Sequence, residues 1–151
     1  MTSSITPTVF FSEGSSSESS QSTDTAVFFI PGNPGLIAYY HVFLALLSER
    51  LSFPVYGRSL AGFIDPETRM YSVEEQIVFV QRSLDSFMAH DEKKKKVILI
   101  GHSVGAYIAM ELLRRHRERC SGFDVVGGIM LFPTVVDIAK SAAGRKLTVS
   151  D

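Results

Sequence analysis

One cysteine in 151 residues, Cys120, leaves no partner for an intramolecular disulfide. A reducing, cytosol-facing compartment is therefore expected. The first residues, Met1-Thr-Ser-Ser-Ile-Thr-Pro7, add to this by lacking both the basic and the apolar segment of a secretory signal. No window approaches the roughly 18 consecutive apolar residues needed to cross a bilayer, so no transmembrane span is expected. Charge of one sign is lacking too: 15 Lys and Arg against 16 Asp and Glu give a formal net charge of -1. That balance supplies no global attraction toward nucleic acid, and no nucleic-acid partner is expected. There is no internal repeat. The three-glycine phosphate fingerprint is also missing, which puts dinucleotide binding far behind other readings.

What is present suffices for a packed core, since 45% of the residues are hydrophobic and 21% charged. Residues 1–25 read as an N-terminal segment. Within it, Ser12 to Ser22 is dominated by serine and too poor in apolar groups to offset the entropy of ordering, so it is expected to be a disordered loop. Thr8 to Phe11 before it reads as an edge strand whose hairpin return is the next apolar run. From residue 26 to 151, short apolar runs alternate with amphipathic stretches. Ala26 to Ile30, Val55-Tyr56, Val97 to Ile100 and Val125 to Phe132 are the expected strands. Between them, Ile37, Tyr40, Leu44, Leu47 and Leu51 mark one helix face, and Ser72-Val73-Glu74-Glu75 is a capping box that opens a second helix. A third helix is expected from about Val104 to Arg119. Strand and helix alternating in this way is the grammar of right-handed parallel crossovers, hence an α/β, doubly wound, mostly parallel sheet.

Gly101-His102-Ser103-Val104-Gly105 sits directly after the third strand of that series and directly before a helix. Gly-x-Ser-x-Gly alone arises by chance in roughly one such chain in ten. Its placement is the informative part, because a strand, sharp turn and helix are what a nucleophile elbow requires. Glycines at 101 and 105 remove side chains that would clash where strand and helix approach, and Ser103 becomes the candidate nucleophile. The free amide of Val104 at the helix start would face an oxyanion formed there. A second donor is needed from the loop after an earlier strand, and Pro31-Gly32-Asn33-Pro34-Gly35 occupies that place, with the Asn33 amide as the candidate. The competing readings are a helix N-cap for Ser103 and a plain tight turn for the Pro-Gly-Asn-Pro-Gly loop.

Three segments then resemble a known family: Ile30 to Tyr40 (IPGNPGLIAYY), Gly101 to Tyr107 (GHSVGAY), and Leu131 to Ala139 (LFPTVVDIA) followed by Gly144-Arg-Lys146. They are similar to the lipid droplet-associated hydrolases. The resemblance implies an α/β-hydrolase fold and a cytoplasmic enzyme at the lipid droplet surface. It also implies hydrolysis of a neutral lipid ester, a sterol ester or an acylglycerol, with Ser103 as nucleophile, His102 as its elbow neighbour and the 31–35 loop left for the oxyanion. No cofactor and no metal is expected for that chemistry.

A partner histidine is what the sequence most conspicuously lacks. In this architecture the acid and then the histidine follow the serine in chain order. The only histidine after Ser103 is His116, more than three turns along the helix leaving the elbow, about 20 Å away at 1.5 Å per residue. His41 and His90 fall on helices, and the His102 side chain should point away from the serine. Asp137, after the fourth strand, is a candidate acid with an ordinary helix N-cap as its alternative. The expectation is a sheet truncated after the strand that follows the elbow helix, with acid and base beyond Asp151 and little activity without them. A non-catalytic droplet or scaffold protein that keeps the fold is the reading from another class. Tyr39, Tyr40 and Phe63 are candidates for the substrate entrance, with core packing as the alternative.

Overall fold

The computed structural model describes residues 3–14, 24–63, 69–91, 93, 95–119 and 121–134. They form a six-stranded sheet: β1 (Ser3–Ile5), β2 (Val9–Ser12), β3 (Thr25–Ile30), β4 (Val55–Arg58), β5 (Lys96–His102) and β6 (Asp124–Leu131), in the order β1-β2-β4-β3-β5-β6. The last four strands are parallel to one another, while β1 and β2 are antiparallel to their neighbours. A 3-10 turn (Ile37–Tyr40) leads into helix α1 (His41–Arg50), and α2 (Val73–Ala89) and α3 (Val104–Arg117) complete the crossovers. The expected mostly parallel α/β sheet is what forms.

The continuous apolar run at 26–30 is explained by its place. β3 lies between β4 and β5, and its alternate side chains enter two separate cores. Ala26, Phe28 and Ile30 pack with Ile77, Leu84, Ile108 and Leu112 of α2 and α3, whereas Val27 and Phe29 pack with Ile37 and Leu44 beside α1. Both faces of the strand are thus out of water. Each of the two phenylalanine rings contributes about 1.5–3 kcal/mol by that burial. Of the expected α1 stripe, Ile37 and Leu44 are fully buried, and Tyr40, Leu47 and Leu51 pack against the same core. The opposite side of α1 is apolar as well, with Val42 and Leu46 in solvent.

The N-terminal strand exists, but its neighbours differ from the sequence-based expectation. β2 does not return as a hairpin with β3; it lies inside the sheet between β1 and β4, with Phe10 opposite Gly57. β3 already has a strand on each side, so no ladder edge is left for β2, while Phe10 gains burial against Val55 in the core on the α1 face. Of the serine-rich stretch, Ser12 ends β2 and residues 15–22 lie outside the described residues.

The capping box forms as read: the Ser72 hydroxyl accepts from the Glu75 amide, and the Glu75 carboxylate accepts from the Ser72 amide at 2.8 Å. The Ser72 amide first, then the Ser72 hydroxyl donating to the same carboxylate at 3.0 Å, and then Arg69 hold the Glu75 carboxyl below its ordinary range. Ser72→Ala removes one side of the box and is expected to cost about 1 kcal/mol. A urea midpoint lowered without a change of slope would register it.

The strand order places the two loops that matter side by side. β3 and β5 are paired in parallel register through Ile30 opposite Gly101, so their carboxyl ends stop level with each other. The chain leaves β3 toward α1 on one face and leaves β5 into α3 on the other. Neighbouring strands that exit to opposite faces open a crevice at the carboxyl end of the sheet, which is where ligands bind in such folds.

Candidate active site

Ser103 is held at φ 52° and ψ -121°, a conformation that side-chain-bearing residues rarely adopt. The turn is so tight that a Cβ on Gly101 would lie 2.7 Å from the Ala106 Cα, and one on Gly105 would lie 2.6 Å from the Pro31 oxygen. Glycine is therefore a steric requirement at both positions. Although Ser103 occupies the N-cap position of α3, its side chain makes no capping hydrogen bond. That disposes of the N-cap reading: a capping hydroxyl folds back onto the second or third helical amide, and this one does not.

The backbone of Ser103 is clamped instead. Its amide donates to the Leu131 oxygen at 2.9 Å, and its carbonyl accepts from Ala106 at 3.0 Å and from Thr134 at 3.2 Å. The side-chain hydroxyl lies 3.0 Å from the Thr134 hydroxyl. Thr134 follows β6 in a loop whose Phe132 is also at positive φ, 45°. Nothing in the sequence marks Thr134 apart from its place in the Leu131 to Ala139 segment.

The Pro31 to Gly35 loop lies directly on the elbow. A Cβ on Gly32 would come within 2.8 Å of both His102 Nδ1 and Ser103 Cβ. The Gly32 amide donates to the Tyr40 hydroxyl at 3.0 Å, and that hydroxyl is 2.9 Å from His102 Nδ1. Among the described residues the amides of Asn33 and Val104 are left without a hydrogen-bond partner.

Asn33, Ser103, Val104 and Thr134 share one cleft of about 680 Å³. Its walls are mostly apolar and include Leu60, Phe63, Met70, Tyr71 and Ile108. Volumes of this order are typical of small-molecule sites. One wall is fixed by Gln76, whose buried side-chain amide accepts from the Ala61 N–H and donates to the Ala61 carbonyl at 2.9 Å each. At the rim, Arg69 lies over the Tyr71 ring and pairs with Glu75 at 2.8 Å; the Tyr71 hydroxyl first, then Glu75, raises the Arg69 pKa above its ordinary value.

The structure thus brings Ser103, Val104 and Asn33 together, with Gly101, His102 and Gly105 forming the turn beneath them. Asp137 lies outside the described residues. His116 sits on α3 against Phe123 and Ser121, His41 packs on Phe10, and His90 caps α2 in solvent. Phe63 lines the cleft, Tyr39 is exposed outside it, and Tyr40 is an internal brace.

Comparison with known proteins agrees with this architecture. Residues 23–150 match the family described as lipid-droplet associated hydrolase. The lipid droplet-associated hydrolase of Gallus gallus is 34% identical over 132 residues, covering 79% of this chain and 40% of the relative. That of Homo sapiens is 31% identical over 141 residues, covering 81% of this chain and 41% of the relative. The chain spans about two fifths of the length of these curated relatives. Among solved structures, a putative hydrolase from Agrobacterium vitis S4 superposes with a TM-score of 0.71 at 16% identity, over 95% of this chain and 51% of that one. An alpha-beta serine hydrolase homologue from Coxiella burnetii superposes with a TM-score of 0.61 at 16% identity, over 93% of this chain and 62% of that one, a likeness that shows the α/β-hydrolase fold. The family match shows that this chain belongs to the lipid-droplet associated hydrolases.

Proposed function

We propose that the chain carries the nucleophile and oxyanion half of a serine ester hydrolase acting on a neutral lipid ester at the cytoplasmic droplet surface. The observation that carries this reading is Ser103, kept at a strained positive φ with its hydroxyl at an apolar cleft and no capping duty. Strain of this kind persists only where the surroundings over-determine it, and it gathers at reactive groups.

In this mechanism the Ser103 oxygen attacks the ester carbonyl carbon and the carbonyl π pair moves onto oxygen. The amides of Val104 and Asn33 receive the oxyanion; the positive end of α3 adds to its stabilisation. Collapse breaks the bond to the alcohol, which leaves with the serine proton relayed through a base, and the acyl group stays on Ser103. Water then attacks the acyl-serine and the acid is released. The base and its acid are assigned to residues outside those described, since the Ser103 hydroxyl meets Thr134 and no histidine ring among the described residues.

The cleft favours an uncharged substrate. Its apolar wall suits an acyl chain, and Arg69 at the rim is already paired with Glu75. Relatives named lipid droplet-associated support the location, and no helix among the described residues is long and apolar enough to cross a membrane. A non-catalytic droplet protein is the second reading, favoured by the Ser103 to Thr134 bond, which occupies the hydroxyl with a residue that is no base.

A fluorophosphonate probe is expected to label the full gene product at Ser103 and to leave Ser103→Ala unlabelled. Equal labelling of the two, read by intact mass, overturns the hydrolase assignment, and absence of labelling in both favours the non-catalytic reading.

A further inference from the structure

Tyr40 stands at the junction of three segments that the hydrolase reading needs in register. Its ring packs against the buried ring of Phe29 at 4.8 Å between centroids and against His102 at 5.6 Å. Its hydroxyl accepts from the Gly32 amide at 3.0 Å and lies 2.9 Å from His102 Nδ1. With the oxygen accepting from Gly32, the hydroxyl proton remains available to Nδ1, an arrangement that pairs with the His102 tautomer carrying its proton on Nε2. The His102 ring also meets Phe132 edge-on at 6.2 Å, in the loop that carries Thr134. One phenol thus ties the loop after β3 to the elbow after β5 by two hydrogen bonds, within a cluster of rings that reaches the loop after β6.

We propose that Tyr40 is the positioning residue of the oxyanion site, holding the Asn33 amide in place by fixing the adjacent Gly32 amide against the elbow. The proposal rests on the serine-hydrolase reading above. The reason lies in the spacing of the donors. The Gly32 amide is used by Tyr40, so the next amide, that of the cleft-lining Asn33, is the one left without a partner among the described residues. Gly32, where a Cβ would come within 2.8 Å of the elbow, has no side chain of its own with which to grip it. Tyr40 supplies that grip from outside the loop. A misplacement of about 1 Å in such a donor is enough to lose about 100-fold in rate.

The test uses the full gene product and Tyr40→Phe, which keeps the ring packing and removes only the hydroxyl. Turnover of a soluble p-nitrophenyl ester and the rate of Ser103 phosphonylation are expected to fall together by about 10- to 100-fold, with KM within twofold, because the lost interaction acts on the developing oxyanion. A merely structural tyrosine would lower the melting temperature and leave turnover per folded molecule unchanged. Should Tyr40→Phe not fold, His102 carries the test: His102→Leu is expected to slow both reactions, and His102→Asn, whose amide keeps an acceptor near the Nδ1 position, to restore part of the loss. Wild-type rates within twofold in Tyr40→Phe, or in His102→Leu where that variant stands in, overturn the brace alone. A wild-type protein that shows no Ser103-dependent labelling overturns the hydrolase reading and the brace together.

Discussion

In the full gene product, Ser103→Ala and Ser103→Gly should both lower ester turnover by roughly 10⁴- to 10⁶-fold, the range seen when the nucleophile of a concerted triad is removed. The two variants should part company in stability. Both lose the 3.0 Å contact with the Thr134 hydroxyl, so that loss cancels between them. Alanine keeps a Cβ at φ 52°, where a side chain costs about 1–3 kcal/mol. Glycine occupies that conformation freely but makes the unfolded chain more flexible, which returns about 0.4–1 kcal/mol. The glycine variant is therefore expected to be the more stable by about 1 kcal/mol, measured as a higher urea midpoint at equal slope. An alanine variant more stable than the glycine variant by about 0.4–1 kcal/mol, the unfolded-chain term alone, would mean that the elbow stores no strain. Loss of turnover in both variants, together with the greater stability of glycine over alanine, would identify Ser103 as a residue kept for chemistry at a strained position.

The second large effect is expected at Gly105. Unlike a surface glycine, it faces backbone: an added Cβ would lie 2.6 Å from the Pro31 oxygen and 2.9 Å from the Ile30 carbonyl carbon. Ile30 ends the most deeply buried strand of the sheet and cannot withdraw, so α3 would have to lift from β3. Gly105→Ala should cost about 3 kcal/mol or more, and Gly105→Val should leave no cooperative unfolding transition. Gly122→Ala is the control. Nothing lies within 4 Å of a Cβ there, and the change should stay within about 0.5 kcal/mol. Circular dichroism with urea titration checks all three. A Gly105→Val protein that melts like the wild type would show that strand and helix are not in contact at the elbow.

The comparison between positions 105 and 122 also shows what kind of information a sequence carries. Both are glycines, and only the motif around Gly105, placed after an apolar run, told them apart. Such local signals were read correctly. The buried run at 26–30, the box at Ser72 and Glu75, and the turn at Ser103 each depend on residues within a few positions of one another, so their physics is already present in one dimension. The parallel sheet followed from the alternation of such units.

The pairing of β2 could not be read in the same way. An apolar run next to a loop suggests a hairpin with whatever strand follows, yet β3 is enclosed by β4 and β5, and β2 is paired with a strand more than forty residues away. Strand neighbours are selected by which ladder edges remain free and by which side chains fill a shared core, and neither has a sequence period. The site divides along the same line. Sequence alone pointed to Ser103 as the candidate, to the glycines that permit its turn, and to the loop that lies against it. Only the tertiary structure decided that Tyr40 leaves the helix face to bond Gly32 and His102, that Gln76 holds the Ala61 peptide, and that Thr134 meets the Ser103 hydroxyl. Those contacts join residues that the sheet order, and nothing in the local sequence, brings within hydrogen-bond distance.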